Sequence, residues 1–135
     1  MIGRRGGGDV CLKVLEVLDV AARAGVWGSY ESYHQPNVVG TENVLAGCQQ
    51  HRVPHLVYTS SPSVVFDGSD HCGVDESVPY AKQWLCHYPH SKALAEQAVL
   101  QANGRDGLWT CALRPHLIWG PRDRHLIPRL LDRAR

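Results

Sequence analysis

His55-Leu56-Val57-Tyr58-Thr59-Ser60 reads as a short buried strand, apolar and β-branched through its middle and entered from Pro54. Ser61-Pro62-Ser63 follow at once. Functional residues of open α/β sheets lie at the carboxyl ends of strands, and Ser61 falls at that position. A hydroxyl there can donate to a substrate oxygen. The ordinary use of a serine at such a place is to cap the following turn. That is the reading of Ser60 and Ser63, and Ser61 is taken as functional.

Downstream, Leu108-Trp109-Thr110-Cys111-Ala112-Leu113-Arg114 supplies another strand, stopped by Pro115. Between the two strands lie a long loop over 61 to 79, broken by Pro62, Gly68, Gly73 and Pro79, and a helix over about 82 to 103. Asn103-Gly104 ends that helix, and a loop of that length suggests a functional role. Upstream, residues 29 to 51 form a helix with Ser29 or Ser32 as N-cap and a kink or fresh start at Pro36. Val38, Thr41, Val44, Leu45 and Cys48 line its buried side. Two strands alternating with helices indicate an α/β fold with a parallel sheet. Residues 10 to 23 carry Cys11, Val14, Leu15, Leu18 and Ala22 at helical spacing, which predicts a helix in this chain.

Tyr88-Pro89-His90-Ser91-Lys92 places a phenol and an ammonium one helical turn apart on one face. The flank Ala93-Leu94-Ala95-Glu96-Gln97 consists of strong helix formers. An ammonium beside a phenol favours the phenolate, which lowers a pKa that otherwise sits near ~10. Tyr88 thereby becomes a candidate acid/base for an alcohol or ketone.

Composition narrows the class. The chain has 135 residues, room for one domain with a modest core. It is 44% hydrophobic and 20% charged, as soluble globular proteins are. A net charge of +1 offers nucleic acid or an anionic membrane no electrostatic attraction. No run approaches the ~18 apolar residues of a membrane span, and the start lacks the apolar core of a secretory signal. Cys11, Cys48, Cys72, Cys86 and Cys111 are scattered without a Cys-x-x-Cys, which fits unpaired thiols in a reducing cytoplasm. His71-Cys72 and Cys86-His87 lack the close pairing of zinc ligands, so no metal is expected. Leu126, Ile127, Leu130 and Leu131 space out as an amphipathic helix whose arginines form its wet face.

Four blocks occur in order: Asn37-Val-Val-Gly-Thr-Glu-Asn-Val-Leu45, Val57-Tyr-Thr-Ser-Ser61, His87-Tyr-Pro-His-Ser-Lys-Ala-Leu-Ala-Glu96 and Leu113-Arg-Pro-His-Leu-Ile-Trp-Gly-Pro121. Together they resemble an extended short-chain dehydrogenase/reductase. The branch is that of the NAD(P)-dependent 3β-hydroxysteroid dehydrogenase/isomerases, near the sugar-nucleotide epimerases and dehydratases. The resemblance runs from about residue 18 to 135. It implies a partial Rossmann-like, doubly wound parallel sheet without the first βαβ units, preceded by a leader over 1 to 17. In an intact relative, Leu18-Asp19-Val20-Ala21-Ala22 would end a central strand, and a histidine usually stands where this chain has Asp19. The family's glycine turn requires a preceding strand. Gly6, Gly7 and Gly8 lack both that strand and the spacing, so an N- and C-terminally truncated chain with weak NAD or NADP binding and no turnover is expected.

The resemblance also implies roles. Tyr88 would be the general acid/base, Lys92 would lower its pKa and hold the nicotinamide ribose, and Ser61 would polarise the substrate oxygen. Ser61 is thus expected to face Tyr88 and Lys92 across a cleft. Val20, Ala21 and Ala22 would pass the adenosine side of NAD or NADP, Asn37 would stand near the cofactor, and Pro115 and His116 would pack against the nicotinamide. An isolated asparagine there would otherwise serve as a helix cap. The expected reaction is oxidation of a secondary alcohol on an apolar hydroxy compound such as a 3β-hydroxysteroid, with a small-molecule hydroxy or keto substrate and no nucleic acid or membrane span. The alternatives are a nucleotide-sugar 4-epimerase or dehydratase, and an inert fragment or association module. Family members pair through helices, which implies a homodimer through 29 to 51 and 82 to 103.

Overall fold

The computed structural model describes residues 14–122 and 126–134. Its centre is a three-stranded parallel sheet in the order β1 (Glu16–Asp19), β2 (His55–Thr59), β3 (Trp109–Leu113). The register runs from Glu16 opposite His55 to Asp19 opposite Tyr58, and from His55 opposite Trp109 to Thr59 opposite Leu113. Between β1 and β2 come α1 (Tyr30–His34), a π-helical turn (Gln35–Val39) and α2 (Gly40–Gln50). α3 (His87–Gln101) connects β2 to β3, and α4 (Leu126–Arg133) follows β3.

The strand order explains where the helices lie. Parallel crossovers are right-handed, so three strands added in one direction send both connections over the same face. Leu45 and Cys48 of α2, Ala95 and Val99 of α3 and Ala102 just past its end pack there on Leu56 and Tyr58 of β2. The opposite face is open: Leu18, Trp109 and Leu113 are 64%, 61% and 54% exposed.

The helix expected over 10 to 23 is not what forms. Residues 16 to 19 are a strand, and positions before 14 lie outside the described residues. The helical spacing of Val14, Leu15 and Leu18 is overridden because β2 would otherwise expose an unpaired edge, and parallel pairing satisfies the backbone of both segments.

Of the stretch from 29 to 51, residues 30 to 50 are helical without a break, capped by Ser29, whose Oγ accepts from the Ser32 N–H. Pro36 does not break it. The chain widens into a π-turn in which the Gly40 N–H donates to Gln35 O, absorbing the missing proline donor. Val38, Thr41, Leu45 and Cys48 are buried as expected.

α3 starts at His87 rather than near 82. Pro89 occupies its first turn, where no intrahelical donor is needed. Past its end, Gly104 adopts φ +77°, the left-handed conformation that glycine takes without penalty, and Asn103 Oδ1 accepts from the Thr110 N–H. Among the described residues Cys48, Cys72, Cys86 and Cys111 are free thiols, and Cys11 lies outside them. No helix among these residues is long and apolar enough to cross a membrane.

Candidate active site

Tyr88 sits in the first turn of α3, half-buried, with the Ser61 side chain beside its phenol. Ser61 is presented by the backbone that leaves β2. Its Oγ accepts from the Ser63 N–H at 3.2 Å and shares a hydrogen bond with Ser63 Oγ at 2.8 Å, so it caps the 3-10 turn Pro62–Val64. The capping reading given to Ser63 therefore belongs to Ser61. Capping and pointing at Tyr88 are compatible, because the cap fixes the hydroxyl on a rigid turn.

Lys92 lies one turn further along α3 and is 2% exposed. Its Nζ donates to the Thr59 carbonyl at 2.6 Å and stands 4.1 Å from the centre of the Tyr58 ring. Burial pulls its pKa down to about 8, with the carboxylates of Asp19 and Glu96 pulling upward. Tyr88 shifts the other way from expectation. Burial raises its pKa, and only the Ser61 hydroxyl opposes this. The sequence reading had Lys92 lowering the phenol. Here the ammonium is bonded to a strand carbonyl instead, and desolvation of the phenolate dominates.

Asn37 is fully buried but does not act as a cap. Its Oδ1 accepts from the Arg23 N–H at 2.7 Å, and its Nδ2 donates to Arg23 O at 3.0 Å and to Ser91 Oγ at 2.9 Å. It thus staples the segment after β1 to the first turns of α3. Val20, Ala21 and Ala22 are exposed just past the end of β1, with the Ala21 N–H donating to Asp19 Oδ1 at 3.2 Å. Pro115 is half-buried and His116 exposed past the end of β3. The carboxyl ends of the sheet thus carry Ser61 beside Tyr88, with Lys92 Nζ turned to the Thr59 carbonyl, Val20 to Ala22 past β1 and Pro115 and His116 past β3. A cavity of about 480 Å³ adjoins this group, lined by Pro62, Ser63, Val65, Phe66, Val74 and His116 among others.

Behind Lys92 lies a polar cluster that sequence reading did not single out. Glu96 is 1% exposed and is gripped by Arg114, whose Nε lies 3.1 Å and 3.3 Å from its two oxygens. The Tyr80 hydroxyl donates to Glu96 Oε1 at 2.9 Å. Burial works to raise the Glu96 pKa, but Arg114, Ser60 and Tyr80 bring it below the usual value. Burial and the same carboxylate push Tyr80 to about 12. Asp19, 6% exposed, accepts from Thr41 Oγ1 at 3.1 Å. The signal for Glu96 was available: Lys92 and Glu96 are four apart on one helix face. Asp19 and Arg114 meet the cluster only through strand register and had no local signature.

The donor set suits a nicotinamide ribose and a substrate oxygen: a phenol, a hydroxyl and a buried ammonium at strand ends. Gly6, Gly7 and Gly8 lie outside the described residues. Among the described residues no group of histidine, cysteine or carboxylate side chains is arranged to hold a metal.

A sequence profile of the 3-beta hydroxysteroid dehydrogenase/isomerase family matches residues 9–135. The chain is 53% identical over 125 residues to the 2-alkyl-3-oxoalkanoate reductase of Shewanella oneidensis, covering 88% of this chain and 32% of that protein. It is 54% identical over 117 residues to the protein of the same name from Stenotrophomonas maltophilia, covering 84% of this chain and 35% of that one. It thus spans about a third of the length of these relatives. A solved UDP-galactose 4-epimerase superposes with a TM-score of 0.75 at 28% identity, over 93% of this chain and 44% of its own. Profile, relatives and fold agree: the chain belongs to the 3-beta hydroxysteroid dehydrogenase/isomerase family.

Proposed function

We propose that this chain carries the alcohol/ketone half of an NAD(P)-dependent oxidoreductase site. The observation that supports it most is the Tyr88 phenol set beside the Ser61 hydroxyl at the carboxyl end of β2, with buried Lys92 one turn behind. Tyr88 is the general acid/base that delivers or removes the alcohol proton. Ser61, held by its cap, donates to the substrate oxygen where negative charge develops. Lys92 holds the ribose hydroxyls and supplies positive charge near the phenol once it leaves the Thr59 carbonyl.

NAD or NADP, when bound, supplies or accepts the hydride. Val20, Ala21 and Ala22 pass its adenosine side, Asn37 fixes the segment that follows them, and Pro115 and His116 flank the nicotinamide. The apolar walls of Val65, Phe66 and Val74 suit a substrate with a hydrocarbon body. The reductases named above act on 2-alkyl-3-oxoalkanoates, which have one, and a β-keto acid of that kind is the first substrate to try. A hydroxysteroid is the second.

Residues 14 to 135 joined to an upstream strand, glycine turn and helix from an intact relative form the test protein. It should reduce a 2-alkyl-3-oxoalkanoate with NADH or NADPH. Tyr88→Phe should cut turnover by about 10²- to 10⁴-fold, as loss of a positioned acid/base does, with cofactor affinity kept. Turnover that survives Tyr88→Phe would remove Tyr88 from the chemistry. The likeness to the epimerase gives the second reading, inversion at a sugar carbon without net oxidation, and product analysis with a UDP-sugar separates the two. The reading extends to pairing of two copies through α1–α2 and α3, where Leu100 is 44% exposed. A strict monomer by light scattering at tens of micromolar would end that part.

A further inference from the structure

Lys92 is 2% exposed, and polar groups of three elements surround it. α3 itself contributes Glu96, β2 the Tyr58 ring and the Thr59 carbonyl, and β1 the Asp19 carboxylate. Arg114 and Tyr80 reach the cluster only by binding Glu96. Two carboxylates can therefore offset the buried ammonium, and they are not equivalent. Glu96 is paired with a guanidinium at hydrogen-bond distance and also receives the Tyr80 hydroxyl, so most of its charge is already compensated.

Among the described residues Asp19 has only neutral hydrogen-bond donors, the Thr41 hydroxyl and the Ala21 N–H. It sits opposite Tyr58 in the β1–β2 register, and the Tyr58 ring lies against Lys92 Nζ. Its field reaches Lys92 across that ring through a buried, weakly screening interior.

We propose that Asp19 is the positioning residue of Lys92: held at the carboxyl end of β1 by Thr41 and Ala21, it is the uncompensated counter-charge that keeps the buried lysine an ammonium. For catalysis this rests on the oxidoreductase reading above, because there a neutral Lys92 could neither support a phenolate nor donate fully to the ribose. The electrostatic coupling itself does not depend on that reading. Burial already holds the Lys92 pKa down at about 8, and losing the opposing Asp19 charge would lower it further.

The 135-residue chain has three lysines, Lys13, Lys82 and Lys92. Labelled at Cε, they can be titrated individually by carbon NMR, with the Lys92 signal assigned by its loss in Lys92→Arg. Asp19→Asn should lower the Lys92 midpoint by about one unit or more, the usual effect of removing a close opposite charge. Asp19→Glu should restore most of it. Asp75→Asn, which removes the same charge from an exposed loop position, should leave it in place.

A Lys92 midpoint unmoved in Asp19→Asn, or moved equally by Asp75→Asn, overturns the proposal. Should Asp19→Asn fail to fold, Thr41→Val decides. It frees the carboxylate without removing it, and must shift Lys92 down by a smaller amount or the proposal falls. In the test protein with the relative's glycine turn, Asp19→Asn should also move the pH profile of turnover to lower pH along with the NMR midpoint. A normal NMR shift with no turnover in any variant would sink the oxidoreductase reading and leave the coupling standing.

Discussion

The two faces of the sheet depart from the usual division of residues. The face covered by α2 and α3 encloses Asp19, Lys92 and Glu96 beside its apolar core, all at 6% exposure or less. The open face presents Leu18, Trp109 and Leu113 to solvent. Buried charges cost stability unless paired, and parallel sheets are normally covered on both sides. Fold stability alone accounts for neither choice. Charge is retained inside where it faces the carboxyl ends of the strands and the chemistry proposed for them. On the open side the residue types are those of a sheet face built to be covered.

The comparison breaks most sharply at Glu96. Glu96→Ala strands the Arg114 guanidinium at half burial and should cost about 3–5 kcal/mol in urea unfolding, as breaking a buried ion pair does. Leu56→Ala on the covered face should cost about 2–5 kcal/mol. If Leu113→Ala on the open face costs as much as Leu56→Ala, the two faces are equally buried in solution and the contrast disappears.

Lys92 sharpens it through pH. Its folded pKa, about 8, lies below the ordinary 10.5, so between these values the unfolded chain binds more protons than the folded one. Stability from this group therefore rises with pH across that window, and its penalty is fully present below pH 8. Subtracting the profile of Lys92→Met from that of the parent should leave this rise. A flat difference would mean the lysine is solvated.

The smallest effect belongs to the open face. Leu18→Thr and Leu113→Thr should change stability by no more than about 0.5 kcal/mol. They should nonetheless lower the fluorescence of a hydrophobic dye, because they remove exposed apolar surface. Unchanged dye binding would place the binding surface elsewhere.

What could be read from sequence follows from range. The strands at 55 and 108, the cap at Ser29 and the stop at Gly104 depend on neighbours a few residues away, and they formed within a residue or two of the expected positions. β1 was missed because its spacing is also helical and only pairing with β2, some forty residues later, settles it. The start of α3 was misplaced by five residues because Pro89 sets it from inside the first turn. Tyr88 and Lys92 were visible as a pair, but their electrostatics were not. The direction of the Tyr88 shift depends on how deep the phenol lies and on a Thr59 carbonyl that competes for the ammonium. Asp19 and Arg114 join the cluster through tertiary placement alone.

The Asn37 side chain meets both backbone groups of Arg23, so it behaves toward that residue as an adjacent peptide unit would. In deuterium, the Arg23 amide should therefore exchange slowly while Val20, Ala22 and Ala24 around it exchange at nearly open-chain rates. Because the same amide nitrogen of Asn37 also donates to Ser91, the protection at Arg23 lasts only while the first turns of α3 stay wound. One backbone proton in an exposed stretch thus becomes a clock for the opening of the turn that carries Tyr88.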